Sequence, residues 1–327
     1  MNNENIMVSV CCITYNHEKY IRQALDSFLK QKTNFKYEII VHDDASTDST
    51  QDIIRDYEKK YPDIIKPIYE VENQYQKGKK ASLITYKHAK GKYIALCEGD
   101  DYWIDENKLQ IQVDYLEKNK ECVFCFHDAF VLNMKNNKKE NWKWYNKKYW
   151  KKDGNYNAGE LDLLGFIPTA SYLFVRRYVE NIPNWLEKSI VGDRPTKLVI
   201  TNYGYAHYIN KKMSIYRVGI GNSAMDKINN QNEDLEKAIN YWKKIEWIIE
   251  QFDCFSEHKY EKELNLSKAY NQINILMAKE DYRRLIKEKK YRQLLRKKQL
   301  FKIYLKIYFP KIYNKAKELK IIWKKIK

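Results

Sequence analysis

The chain has 327 residues, 44% of them hydrophobic and 14% aromatic, which suits a large folded domain with a real core and excludes a disordered chain. Its net charge of +17 suggests a nucleic-acid binder until it is located: residues 283–327 hold 18 Lys and Arg against two acids, Glu288 and Glu318, while the rest carries 42 basic and 41 acidic residues. A neutral body offers no continuous basic groove for a phosphate backbone, so no nucleic-acid partner is expected.

The six cysteines, mostly inside apolar runs, fit a reducing compartment. Cys122 and Cys125 form a lone Cys-x-x-Cys, but strand alternation is expected to send the two thiols to opposite faces as core residues. The polar first seven residues predict no signal peptide, and no run approaches ~18 apolar residues, so no transmembrane helix is expected.

In chain order, Val8–Thr14 reads as a strand ending in Thr14-Tyr15-Asn16-His17, and Tyr20–Phe28 repeats apolar residues at helical spacing. Tyr37–Val41 is a second strand, closed by His42-Asp43-Asp44-Ala45-Ser46, and a Ser/Thr/Asp cluster then caps a helix reaching about Tyr61. Ile64–Val71 reads as a third strand, Ala81–Ala89 as a helix, and Tyr93–Cys97 as a buried fourth strand stopping at Glu98-Gly99-Asp100-Asp101. A helix over Asp105–Asn119, a strand over Cys122–Leu132 and an aromatic loop over Asn141–Trp150 follow. Beyond them come a strand over Ala170–Val175, a turn at Val191-Gly192-Asp193, a helix near Lys197 and an extended stretch over Tyr205–Tyr216. A linker is expected near residues 219–232 and mainly helix thereafter.

Alternating strands and helices predict an α/β fold with a mostly parallel, doubly wound sheet, whose ligand sites lie at the carboxyl ends of strands. Three acidic groups fall at such ends: Asp43-Asp44, Asp100-Asp101 and Asp193. One Asp-Asp pair alone would read as a solvated turn. Two pairs directly after buried strands point to a ligand site, and a nucleotide sugar is a ligand that needs them: its diphosphate leaves well only when a divalent cation neutralises it, and Mg²⁺ or Mn²⁺ takes one or two carboxylates beside phosphate oxygens. Asp100 and Asp101 could supply those. The attacking hydroxyl needs a general base, for which Asp193 is the candidate, a helix N-cap being its plain alternative. Asp44 and Tyr15 could hold the base of the nucleotide. His127 reads as a core histidine, and Trp142–Trp150 as either an acceptor wall or packing on the sheet.

These segments together resemble the family 2 glycosyltransferases of GT-A fold: Val8-Ser9-Val10 into Thr14-Tyr15-Asn16-His17, Ile39 through Asp48, Gly91-Lys92-Tyr93-Ile94 into Glu98-Gly99-Asp100-Asp101-Tyr102-Trp103, then Lys108-Leu109 and Gln112. The resemblance covers roughly the first 130 residues, and Tyr216-Arg217 with Gly221 and Ser223 resembles a later element of it. It implies an inverting, metal-assisted transferase of bacterial surface polysaccharide type, with UDP-sugar donors and a saccharide or lipid-linked acceptor. It also implies that Thr14, Tyr15 and Asp44 hold the nucleoside, that Asp100 contacts the sugar or ribose side, that Asp101 binds Mg or Mn, and that Asp193 is the base; Asn16 and Asp43 are further nucleotide-sugar-binding candidates and Asp100 a second metal candidate. Glu98 stands where relatives often carry Asp, so which of Glu98, Asp100 and Asp101 touch the metal stays open. A nucleotidyltransferase would use similar carboxylates, but would place a glycine-rich, Arg-bearing loop after the first strand; a non-catalytic binding protein would not need all three acidic groups.

The expected organisation is a catalytic domain over 1–230 (nucleotide-sugar half 1–135, acceptor half 136–230), a helical extension over 231–282 and a basic tail over 283–327. The tail's Leu300–Phe309 fits a strand or a helix. Ile312, Ala316, Leu319, Trp323 and Ile326 form one apolar helical stripe among lysines, which predicts attachment to an anionic membrane and a peripheral place on the inner face of the plasma membrane.

Overall fold

The computed structural model describes residues 6–142, 147–220 and 235–315. Among the described residues ten strands form one mixed sheet: β1 (Val8–Thr14), β2 (Tyr37–Asp43), β3 (Ile65–Tyr69), β4 (Tyr93–Leu96), β5 (Tyr102–Trp103), β6 (Cys122–Asn133), β7 (Lys138–Asn141), β8 (Asn155–Tyr156), β9 (Leu173–Val175) and β10 (Tyr205–Val218). The path runs β3-β2-β1-β4-β9-β6-β10-β5, with β7 beside β6 and β8 beside β10. The long ladders are parallel, β1 with β2 and β4, β2 with β3, and β6 with β10; the antiparallel pairings span only two to four residues each. The mostly parallel, doubly wound expectation therefore holds, with β6 and β10 running in the same direction as β1 to β4, and short antiparallel strands complete the sheet.

Helices α1 (Ile21–Leu29), α2 (Thr50–Lys60), α3 (Ala81–His88) and α4 (Lys108–Lys118) cross between these strands. The spacing of Ile21, Ala24, Leu25 and Phe28 puts one apolar stripe of α1 into the core, where Phe28 meets Trp103 at 4.7 Å between ring centroids. Three further helices, α5 (Ala158–Leu163), α6 (Asn184–Lys188) and α7 (Asp193–Thr201), lead to α8 (Leu235–Phe255) and α9 (Glu261–Ala278). Ile245, Ile248, Ile249 and Phe252 of α8 share a core with Ala158 of α5 and Leu198 of α7, so the helical extension packs directly on the sheet domain. The chain continues through α10 (Tyr282–Lys287), α11 (Lys289–Arg292) and α12 (Lys297–Tyr308), which share a separate core around Leu285, Tyr291 and Ile303. Among the described residues no helix is long and apolar enough to cross a membrane.

One open alternative closes, and two expectations change. Leu300–Tyr308 takes the helical alternative, as part of a helix over Lys297–Tyr308 that Phe309 ends, because Ile303 and Ile307 have an apolar surface to pack on, which the sequence pattern alone could not show. Residues 169–171 form a 3₁₀ turn, and only Leu173–Val175 remains strand. Cys122 and Cys125 lie on one face, not two: β10 pairs Tyr205 with Cys122 and Ala206 with Phe124, a bulge that inserts Val123 and flips the alternation. Both free thiols consequently share a core with Leu173, while Val123 and Phe124 face the opposite one. His127 is buried in β6, as a core histidine should be.

Candidate active site

The carboxyl ends of β1, β2 and β4 meet at one edge of the sheet. The N–H of Asp44 donates to the Thr14 carbonyl at 3.0 Å, and that of Gly99 to the Ile13 carbonyl at 2.9 Å, so both acidic turns hang from β1. Gly99 permits this approach, since a Cβ there would sit 2.7 Å from Thr14 Oγ1. Asn16 and Ala45 adopt left-handed backbone, at φ 55° and 61°. For Ala45 that costs about 1 kcal/mol and marks a loop held by its surroundings.

The nucleotide-side residues divide by what they already bind. Asn16 Oδ1 accepts from the Thr47 N–H at 2.8 Å, and Asp43 Oδ2 accepts from the Ser46 N–H and Gln51 Nε2 at 2.9 and 2.6 Å, so both side chains build the loop. Asp44 accepts from the N–H groups of Gln74 and Tyr75 at 2.7 and 3.1 Å, which pins the β3–α3 loop over the site. Its two oxygens keep further lone pairs. Thr14 Oγ1 and Asp43 Oδ1 are buried without a partner, and Tyr15 is half-buried in the same loop.

After β4 the chain turns tightly, the N–H of Asp101 donating to the Glu98 carbonyl at 3.0 Å, and three carboxylates crowd together. Asp101 Oδ1 accepts from the Arg217 N–H at 2.8 Å; Asp101 Oδ2 and Asp100 Oδ1 are buried with no partner. Burial, with Asp100 beside it, pushes Asp101 well above the usual carboxylate range. Burial, then Asp100 and Asp193, raises Glu98 to about 8, while Thr169 donates to it at 3.4 Å. Such buried, unpaired oxygens of like charge suit a hard divalent cation shared with phosphate oxygens. No group of three or more His, Cys, Asp or Glu side chains placed to hold a metal occurs among the described residues, so a cation there would need ligands from the substrate.

Asp193 is the first residue of α7, with Gly192 at the N-cap position. It is half-buried and close enough to raise Glu98 and Tyr216. The structure thus brings Asp193 to the acidic turn from about ninety residues away in sequence. Its neighbour Arg194 donates to both oxygens of Asp162 at 2.7 and 2.6 Å and to Ser267 Oγ of α9 at 3.0 Å, anchoring the start of α7. Trp142, Phe166 and Tyr216 form an aromatic trio, with centroids 5.5 to 5.9 Å apart, next to these acids, whereas Trp150 packs on Tyr208 of the sheet. Residues 143–146 of the aromatic loop, and Gly221 and Ser223, lie outside the described residues.

Two residues carried no assigned role in the sequence reading. Arg217, buried between the rings of Tyr20 and Tyr102, donates from its guanidinium to the Asp100 carbonyl and to Gln23 Oε1. His17 Nε2 lies 3.9 Å from Asp100 Oδ2, and burial lowers its pKa. Both sit inside motifs that the sequence displays, but their contacts cross the fold.

The chain belongs to the family described as Glycosyl transferase family 2, which it matches over residues 9–179. That stretch contains the acidic turn and stops short of Asp193 and Arg217. Rv1520 of Mycobacterium tuberculosis is 45% identical over 125 residues, 38% of this chain and 36% of its own length. An Escherichia coli protein, UDP-Glc:alpha-D-GlcNAc-diphosphoundecaprenol beta-1,3-glucosyltransferase WfaP, is 36% identical over 115 residues, 35% of this chain and 43% of its own. The matched stretches thus span less than half of these relatives. In fold, TarS of S. aureus, solved in complex with UDP, superposes with a TM-score of 0.54 at 18% identity, covering 85% of this chain and 92% of that one. The GT-A fold follows.

Proposed function

We propose that this chain is an inverting glycosyltransferase, moving a hexosyl or N-acetylhexosaminyl group from a UDP-sugar to a hydroxyl of a saccharide or lipid-linked saccharide in surface polysaccharide synthesis. One observation carries the reading: Glu98, Asp100, Asp101 and Asp193 converge near the end of β4, with one buried oxygen each of Asp100 and Asp101 left unpaired. Asp101, with Asp100 beside it, would hold Mg²⁺ or Mn²⁺, which supplies neutralisation of the leaving diphosphate. Thr14, Tyr15 and Asp44 bind the nucleoside from the ends of β1 and β2. Asp193 accepts the proton of the acceptor hydroxyl as its oxygen bonds to the anomeric carbon and the bond from that carbon to the diphosphate breaks on the opposite face, so UDP leaves and one displacement inverts the centre. The Trp142, Phe166 and Tyr216 rings give the acceptor sugar a face to stack on.

The UDP donor and lipid-linked acceptor are supported by the name of the WfaP relative. Free thiols fit a cytoplasmic place, and the basic tail a peripheral one on the inner face of the plasma membrane. The test is calorimetric titration with UDP, with and without Mn²⁺, followed by transfer from radiolabelled UDP-sugars to lipid-linked acceptors. Metal-dependent UDP binding and product formation are expected; UDP binding indifferent to Mn²⁺ and no transfer from any donor would overturn the reading.

A further inference from the structure

The basic segment contains a feature that charge alone does not explain. The inner face of α12 packs through Leu300, Ile303 and Ile307 on the core around Leu285 and Tyr291, and Lys306 pairs with Glu280 at 3.7 Å and donates to the Tyr282 hydroxyl. Helical geometry then turns Phe301, Tyr304 and Tyr308 outward in one row, with the Tyr304 and Tyr308 rings stacked at 6.0 Å. Phe309 and Ile312 extend the row, and all five are between 40% and 65% exposed. Eleven large hydrophobics are this exposed among the described residues, and five of them fall within these twelve positions, so they make a patch rather than scatter. Lys297, Lys298, Lys302, Lys311 and Lys315 stand exposed around them, and no acid occurs between Glu288 and Glu318.

We propose that this outer face of α12, Phe301, Tyr304 and Tyr308 with the lysines that flank them, is a docking surface for an anionic lipid bilayer. Aromatic rings settle at the boundary between headgroups and acyl chains, and the lysines meet the negative headgroups. A second copy of the chain would bring like charges together, and the charge excludes a basic partner. Because the opposite side of the helix is fixed to the α10–α11 core, the contact would orient the protein as well as tether it. The inference rests on the peripheral placement proposed above and names the surface responsible, which the sequence stripe through Trp323 did not: that stripe lies, beyond Ile312, outside the described residues.

The test is sedimentation of the full chain with vesicles containing about one-third phosphatidylglycerol, beside wholly zwitterionic vesicles. Salt-sensitive binding to the anionic vesicles is expected, reduced at least about tenfold by combined Phe301→Ser, Tyr304→Ser and Tyr308→Ser, and likewise by Lys297→Gln, Lys298→Gln and Lys302→Gln. These side chains are exposed, so an unchanged melting temperature checks the fold. If the full chain binds and both variants bind equally well, the surface is wrong while membrane placement stands. Failure of the full chain to bind, or equal binding to zwitterionic vesicles, sinks both. Tighter binding to a single-stranded oligonucleotide than to the anionic vesicles at the same salt overturns the lipid assignment.

Discussion

The main-chain N–H of Arg217 donates to one carboxylate oxygen of Asp101 at 2.8 Å, joining the end of β10 to the acidic turn across 116 residues and leaving the other oxygen unpaired. The Arg217 guanidinium is engaged elsewhere, on the Asp100 carbonyl and Gln23, between two tyrosine rings. Arg217 therefore holds the turn in shape without forming an ion pair with its carboxylates.

Replacing Arg217 by Lys should keep the main-chain bond but lose the planar fork and the stacking. Mn²⁺-dependent UDP affinity should fall by about 10- to 100-fold, the usual effect of losing an outer partner of a metal ligand, with metal-free UDP binding nearly unchanged. Calorimetry in the two conditions separates these terms. Equal losses with and without Mn²⁺ would make Arg217 a nucleotide contact instead.

Asp101→Ala should abolish transfer and leave the melting temperature unchanged or higher, because burial and Asp100 already oppose the charge that is removed. Transfer at the wild-type rate with the same Mn²⁺ dependence would remove Asp101 from the metal site.

Most of this site was legible because its residues follow strands in short motifs: Thr14, Asp44, Asp100 and Asp101 each mark where a buried apolar run stops. Distant contacts were not. Nothing near Arg217 in sequence announces Asp101, and the bulge at Val123 that reunites Cys122 with Cys125 depends on pairing with β10. The helix over Lys297–Tyr308 needed Leu285 and Tyr291 in place before the pattern of its second half had one meaning.

Lys108 lies wholly inside the core, donating to Gln112 Oε1 at 2.7 Å over the Trp103 ring, and burial lowers its pKa to about 7. Between that value and the unfolded lysine value near 10.4, the unfolded chain binds more protons than the folded one, so stability rises with pH. From pH 7 to 8.5 the gain should reach up to about 2 kcal/mol, and Lys108→Met should flatten that rise. Urea unfolding at the two pH values measures it; an identical slope in both proteins would mean that Lys108 stays charged in the fold.

The general-base assignment is tested by Asp193→Asn, which keeps the shape of the side chain and cannot take up a proton. Turnover should fall by roughly 10² to 10⁴ with donor affinity unchanged. The position of Asp193 depends on Arg194, whose fork on Asp162 and bond to Ser267 tie the first turn of α7 to α5 and α9. Burial works against charge on Asp162, yet Arg194 outweighs it and holds that carboxyl below its ordinary range. Arg194→Lys cannot reproduce the two parallel bonds, so it too should lower kcat while leaving the donor Kd alone, and Ser267→Ala should do so more weakly. If Asp193→Asn instead weakens donor binding and spares turnover, Asp193 is structural and Glu98, raised to about 8 beside it, becomes the base to test.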